Sequence, residues 1–222
     1  MSDISAAFIR LHARLAPAPF VPEVRLHQAD EPIGLWELTE GEFRSDQPPP
    51  FWAFAWAGGQ ALARHVLDHP DLVAGRQVLD LAAGSGLVAI AAAKVGAAAV
   101  RAVEIDPRAV AAIALNATEN GVTVTADLGD ILDGDAGGAD VVLAGDVFYS
   151  KAMADRVTRF LLRAARSGAS VLVGDPGRAF LPRARFRAVA SYDVPVPPAL
   201  ETVSVKHTTV WEMRSGDRPG AG

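Results

Sequence analysis

From residue 76 onward, short apolar runs alternate with amphipathic stretches. Gln77 to Leu81 reads as a buried strand entering a glycine turn, and an alanine-rich helix follows to about Val95. Val100 to Glu104 is the next strand. Asp106-Pro107 then supplies a cap and a first-turn proline, and the helix closes at Asn120-Gly121. Val122 to Ala126 and Asp140 to Gly145 are the third and fourth strands. Residues 150–166 place Met153, Val157, Phe160, Leu161 and Ala164 on one helical face, and Ala169 to Val173 is a fifth strand. Strands alternating with helices imply an α/β fold with right-handed crossovers and a parallel sheet. Phe186 to Val194 and Thr202 to Met213 have no helix between them, so they predict an antiparallel hairpin at the sheet edge.

The start of the chain is less regular. Residues 4–15 read as a helix, Val21 to His27 and Gly34 to Leu38 as short strands, and Gln47-Pro48-Pro49-Pro50 as punctuation. An aromatic cluster, Phe51-Trp52-Ala53-Phe54-Ala55-Trp56, precedes a helical stretch to about His69, stopped by Pro70. The expected division is an extension over 1–50 on the lid or substrate side, a main domain over 51–214, and a disordered tail over 215–222.

Composition narrows the classes. The 222 residues are 50% hydrophobic and 21% charged, enough for a real core and unlike a disordered chain. The net charge of −5 argues against a main affinity for phosphate backbones, so no nucleic-acid partner is expected. The absence of cysteine excludes disulfides, thiolate metal sites and cysteine nucleophiles. The weakly polar run from Gly86 to Val100 carries Lys94 and falls short of the ~20 apolar residues of a membrane span. Met1-Ser2-Asp3 does not open a secretory signal, although a helix over 4–15 with Arg10 and Arg14 leaves an organelle-targeting peptide as the alternative. A soluble, cytoplasmic, monomeric protein is expected. The five histidines show no spacing for a metal site, and no Ser-His-Asp arrangement is evident.

Candidate chemistry begins at Asp80-Leu81-Ala82-Ala83-Gly84-Ser85-Gly86. Read loosely, Gly84, Gly86 and Ala89 satisfy a dinucleotide fingerprint. Asp80 ends the strand where a pyrophosphate would lie, and its charge would repel one. S-adenosylmethionine carries an ammonium and a sulfonium, which a carboxylate favours; the competing account is that Asp80 only caps turn amides. Glu104 ends the second strand twenty residues after Gly84, the spacing of a ribose acceptor, with Asp106 as rival. Asp130 and Ile131 are candidates to hold adenine, with Asp127 as rival. Trp52, Phe54 and Trp56 either cover the cofactor or pack as core, and Gly58-Gly59 implies a close backbone approach.

On the substrate side, the fourth strand ends in Gly145-Asp146-Val147-Phe148-Tyr149. Asp146 and Tyr149 stand on one turn, where Asp146 orients an amine or takes its proton and Tyr149 lines the channel. Phe148, Asp175 and Arg178 are candidate substrate contacts on the same rim. Arg156, Arg159, Arg163 and Arg166 read as a solvated helix face. Arg178, Arg183, Arg185 and Arg187 lie nearer the rim, facing an acidic protein partner or serving structure.

At these residues the chain resembles the lysine methyltransferases of the electron-transfer flavoprotein β subunit. The resemblance rests on residues 51–59, Asp80 through Gly86, Gly145 through Tyr149, Gly174-Asp175-Pro176-Gly177-Arg178 and Thr208-Thr209-Val210-Trp211, and covers roughly residues 30 to 213. It implies a class I, Rossmann-like sheet of seven mostly parallel strands with helices on both faces. It further implies S-adenosylmethionine as cofactor, a lysine ε-amine as acceptor, and the electron-transfer flavoprotein β subunit as protein partner. The family's Asp-x-x-Tyr turn carries over to Asp146 and Tyr149. Ala82 departs from the first glycine of many methyltransferases, and Ala57 stands where many relatives have proline.

Overall fold

The computed structural model describes residues 2–29, 49–196 and 203–214. Helix α1 (Ser2–His12) leads into the antiparallel pair β1 (Arg14–Ala18) and β2 (Val21–Gln28). A 3-10 turn at Phe51–Ala53 precedes α2 (Ala57–Asp68). Then follow β3 (Gln77–Leu81), α3 (Leu87–Lys94), β4 (Ala99–Glu104), α4 (Pro107–Glu119), β5 (Thr125–Leu128) and β6 (Val141–Gly145). The chain continues through α5 (Lys151–Arg166), β7 (Ser170–Asp175), β8 (Phe186–Pro195) and β9 (Val205–Met213).

Seven strands form one sheet in the order β5-β4-β3-β6-β7-β9-β8. The first five in that order run parallel, whereas β9 is antiparallel to both β7 and β8. The edge hairpin therefore forms, with its later strand inserted next to β7. Strand order reverses at β3, which pairs with β4 on one side and β6 on the other. That reversal opens a crevice at the carboxyl ends of these strands.

Apolar side chains fill both sides of the sheet. One core joins Leu62, Val66, Ile90 and Ile113 of the helices to Val78, Val141 and Leu143. The other packs Val157, Phe160 and Leu161 of α5 on Leu79, Val142 and Val171. The predicted face of α5 is the buried one, and Ser150 Oγ caps its start by accepting the Met153 N–H at 3.3 Å. A third cluster sets Ile9, Trp52 and Phe54 on Ala109 and Ala112 of α4.

Several boundaries differ from expectation, three of them with a clear physical reason or extent. The first helix stops at His12, and residues 14–18 form β1, whose Pro17 lacks a ladder donor and disguises the strand. The third strand begins at Thr125 rather than Val122, because the residues before it close α4. Val122 N–H bonds Ala117 O, while the Asn120 side chain exchanges bonds with the Arg25 backbone of β2. Strand β7 runs on to Asp175, two residues past the expected end. The strand expected over 34–38 and the tail over 215–222 lie outside the described residues.

Candidate active site

A cavity of about 340 Å³ opens at the carboxyl ends of β3, β4 and β6. This is the size of small-molecule sites, roughly 300–1,000 Å³. Leu81, Ala82 and Gly84 form one wall, Val103 to Asp106 a second, and Gly129 to Leu132 a third. Gly145, Asp146, Val147 and Tyr149 close the side toward β6.

The glycine loop takes its shape from left-handed backbone at Ala82 (φ +54) and Gly84 (φ +55). Glu104 ties the loop to the next strand. Its Oε1 accepts the Gly84 N–H and its Oε2 the Ile105 N–H, both at 2.9 Å. Burial pushes the Glu104 carboxyl above its ordinary value, partly offset by these N–H donors. Asp106 borders the cavity but spends its carboxylate on the start of α4, accepting the Arg108 N–H at 2.8 Å.

At the far end, Asp130 and Ile131 stand on the wall. Asp130 Oδ1 accepts the Leu132 N–H at 3.0 Å, and the Arg156 guanidinium grips both oxygens at 2.7 and 3.2 Å. Asp127, the rival, instead pairs with Arg101 at 2.5 Å and is absent from the wall.

Four expected contacts lie off the wall. Asp80 is 1% exposed beneath the loop, and its Oδ2 accepts the Ala89 N–H in the first turn of α3 at 2.9 Å. It thus caps the start of α3 from beneath the loop. It still occupies an amide of the helix start on which a pyrophosphate would rest. Gly86 faces α4, where a Cβ would meet Ile113 at 3.2 Å, so its smallness serves helix packing. Phe148 is 0% exposed and packs against Phe186 in the core, off the cavity wall. Asp175 is buried off the wall, and its Oδ1 accepts the N–H groups of Gly177 and Arg178, shaping its own turn.

Asp146, Tyr149, Trp56 and Arg178 also line the cavity. Asp146 adopts left-handed backbone (φ +57) and donates its own N–H to Gly174 O at 2.9 Å. Its Oδ2 accepts the Gly58 N–H, and its Oδ1 meets the Arg178 guanidinium. Tyr149 is 52% exposed; burial of part of the ring, then the Glu104 charge, raises its hydroxyl above the usual value, so it remains a neutral donor. Trp56 Nε1 donates to Phe51 O at 2.9 Å, and the Phe51 ring lies 5.8 Å from Trp56 and 5.9 Å from Tyr149. Of the other aromatics, Phe54 is core, while Trp52 reaches the wall though 1% exposed.

Arg156 is the wall residue that helix periodicity misreads. It leaves the polar face of α5 to bind Asp130 and Asp133 rather than solvent alone. Arg163 likewise bonds the carbonyls of Leu132 and Gly134. Acidic residues in the facing loop were the available signal. The wall suits S-adenosylmethionine: two carboxylates, Glu104 and Asp130, can accept from ribose hydroxyls and an exocyclic amine, and apolar residues enclose them.

A family model described as ribosomal protein L11 methyltransferase (PrmA) matches residues 61–169. The chain is 37% identical over 196 residues to a Danio rerio protein named electron transfer flavoprotein beta subunit lysine methyltransferase, covering 86% of this chain and 75% of that protein. A Xenopus laevis protein of the same name is 35% identical over 213 residues, covering 93% and 86%. Among solved structures, a Pyrococcus abyssi tRNA (uracil-54, C5)-methyltransferase in complex with S-adenosyl-L-homocysteine superposes with a TM-score of 0.53 at 18% identity. That match covers 70% of this chain and 38% of the other, and it marks a class I methyltransferase fold.

Proposed function

The chain belongs to the electron transfer flavoprotein beta subunit lysine methyltransferase family, and from that premise we propose that it is an S-adenosylmethionine-dependent protein-lysine N-methyltransferase acting on the electron-transfer flavoprotein β subunit. The carrying observation is that Asp146 and Tyr149 share one cavity with Glu104 and the glycine loop. Acceptor-side and cofactor-side groups thus face the same space.

Glu104 is the ribose acceptor, Asp130 and Ile131 the adenine end, Ala82 and Gly84 the loop the cofactor lies against, and Trp56 the cover. When bound, S-adenosylmethionine supplies a methyl carbon whose bond to sulfur breaks, its electrons returning to sulfur, as the amine lone pair forms the N–C bond. The chain's own contribution is alignment: Asp146 directs the ε-amine, and Tyr149 borders its path. Such alignment alone supplies several kcal/mol.

Incubation with methyl-labelled cofactor and purified electron-transfer flavoprotein, followed by peptide mass spectrometry, tests the reading. Label on a β-subunit lysine is expected. The match to the ribosomal protein L11 methyltransferase model supports a second acceptor class, a ribosomal-protein lysine. Label on L11 in a parallel assay, with none on the β subunit, would replace the first reading by the second.

A further inference from the structure

The turn after β7 is built on one buried carboxylate. Asp175 Oδ1 accepts the backbone N–H groups of Gly177 and Arg178, both at 2.7 Å. These bonds fix where Arg178 leaves the backbone, and its guanidinium lands on Asp146. Nε lies 3.1 Å and Nη2 2.9 Å from Oδ1. The opposite oxygen accepts the N–H of Gly58 in the first turn of α2, where the helix dipole adds positive character.

The approach of α2 is equally specific. A Cβ on Gly58 would lie 2.3 Å from Gly174 O and 2.6 Å from Asp146 Oδ2, and one on Gly145 2.8 Å from the Gly59 Cα. Bare backbone at these positions lets the helix start touch the ends of β6 and β7. The Asp146 carboxylate is therefore gripped on both oxygens by groups that are 32 and 88 residues away in sequence.

We propose that Arg178, with its turn held by Asp175, is a positioning residue that fixes the Asp146 carboxylate, so that Asp146 orients the acceptor amine rather than taking its proton. The proposal rests on the methyltransferase reading of this cavity. Among the described residues, Gly58 N–H and the Nε and Nη2 of Arg178 hold the two oxygens, and these bonds set the plane and direction of the carboxylate. In-line transfer needs that direction, and a misplacement of about 1 Å costs on the order of 10²-fold in rate. The Arg178 fork is turned inward onto Asp146, and Arg187 pairs with Glu212 across the edge hairpin.

The test uses the full chain with S-adenosylmethionine and the protein acceptor. Arg178→Ala is expected to lower kcat by about 10²-fold, with KM for the acceptor and calorimetric cofactor affinity within about threefold. Arg178→Lys recovers only part, because an ammonium does not reproduce the planar fork. Asp175→Ala follows Arg178→Ala, and Asp175→Asn, which keeps an acceptor oxygen, recovers most of the rate. In the absence of any acceptor, the Gly58 amide proton reports the carboxylate by NMR. It should lie far downfield in the wild type and move upfield in Arg178→Ala and Arg178→Lys. A raised KM with unchanged kcat would make Arg178 a substrate contact, and an unmoved Gly58 amide would remove the coupling; either overturns the proposal. If the wild type labels no acceptor, the functional reading fails while the Gly58 signal still decides the role of Arg178.

Discussion

Gly84 donates its backbone N–H to the Glu104 carboxylate at 2.9 Å, so the glycine loop and the end of β4 are one unit. Glu104 both shapes the loop and faces the cavity. Glu104→Ala should weaken S-adenosylmethionine binding by about 1–3 kcal/mol, the worth of hydrogen bonds to a charged group. Titration calorimetry measures it. Unchanged affinity would transfer the ribose role to Asp106.

Gly58 and Gly59 are adjacent but answer to different surroundings. A Cβ on Gly58 collides with Gly174 O and Asp146, whereas one on Gly59 meets nothing within 4 Å. Gly58→Ala should cost about 1–3 kcal/mol through overpacking and reduce methyl transfer with it. Gly59→Ala, in a helix, should gain about 0.5–1 kcal/mol. Chemical denaturation of the two variants separates them; equal effects would mean that α2 does not rest on β6 and β7 as described.

These contrasts also mark what local sequence conveys. Strands β3, β4 and β6 and the caps at Asp106 and Ser150 follow from residues within a few positions of each other. The Glu104 spacing is similarly legible, since it sits one crossover from Gly84. The grip on Asp146 is not, because its partners come from α2 and the turn after β7. Asp80 and Phe148 show the same limit in reverse. Their sequence positions adjoin the cavity, but the strand pleat and the following turn point them into the core, and no motif records that direction.

Ala82 tests the cost of left-handed backbone directly. At φ +54 it holds a conformation that costs an L-residue with a Cβ roughly 1–2 kcal/mol. Ala82→Gly removes that strain but adds freedom to the unfolded chain, worth about 0.4–1 kcal/mol the other way. The net expectation is a gain of up to about 1 kcal/mol. A lowered midpoint in thermal unfolding would show that the methyl packs well enough to outweigh the strain.

Asp80 sets a pH dependence. Burial, first, pushes its carboxyl from 3.8 up to about 8; the Ala89 N–H lowers it and the Glu104 charge raises it. In the unfolded chain the group titrates near the ordinary value, so between these two limits the folded chain binds more protons. The contribution of protonated Asp80 is fully present below about pH 4 and is lost as pH rises through about 8. Glu104, Asp106 and Asp175, also raised by burial, act in the same sense. Asp130, held low by Arg156, acts oppositely, losing its contribution as the pH falls below its ordinary range. His65, lowered first by burial and then by the His69 charge, opposes them as the pH rises toward its ordinary value of 6.5, so the loss from Asp80 should stand out between about pH 6.5 and pH 8. Asp80→Asn keeps an acceptor for Ala89 and removes the titration, so its unfolding midpoint should gain on the wild type as pH rises through that window. Parallel curves for the two proteins would show that Asp80 does not titrate there.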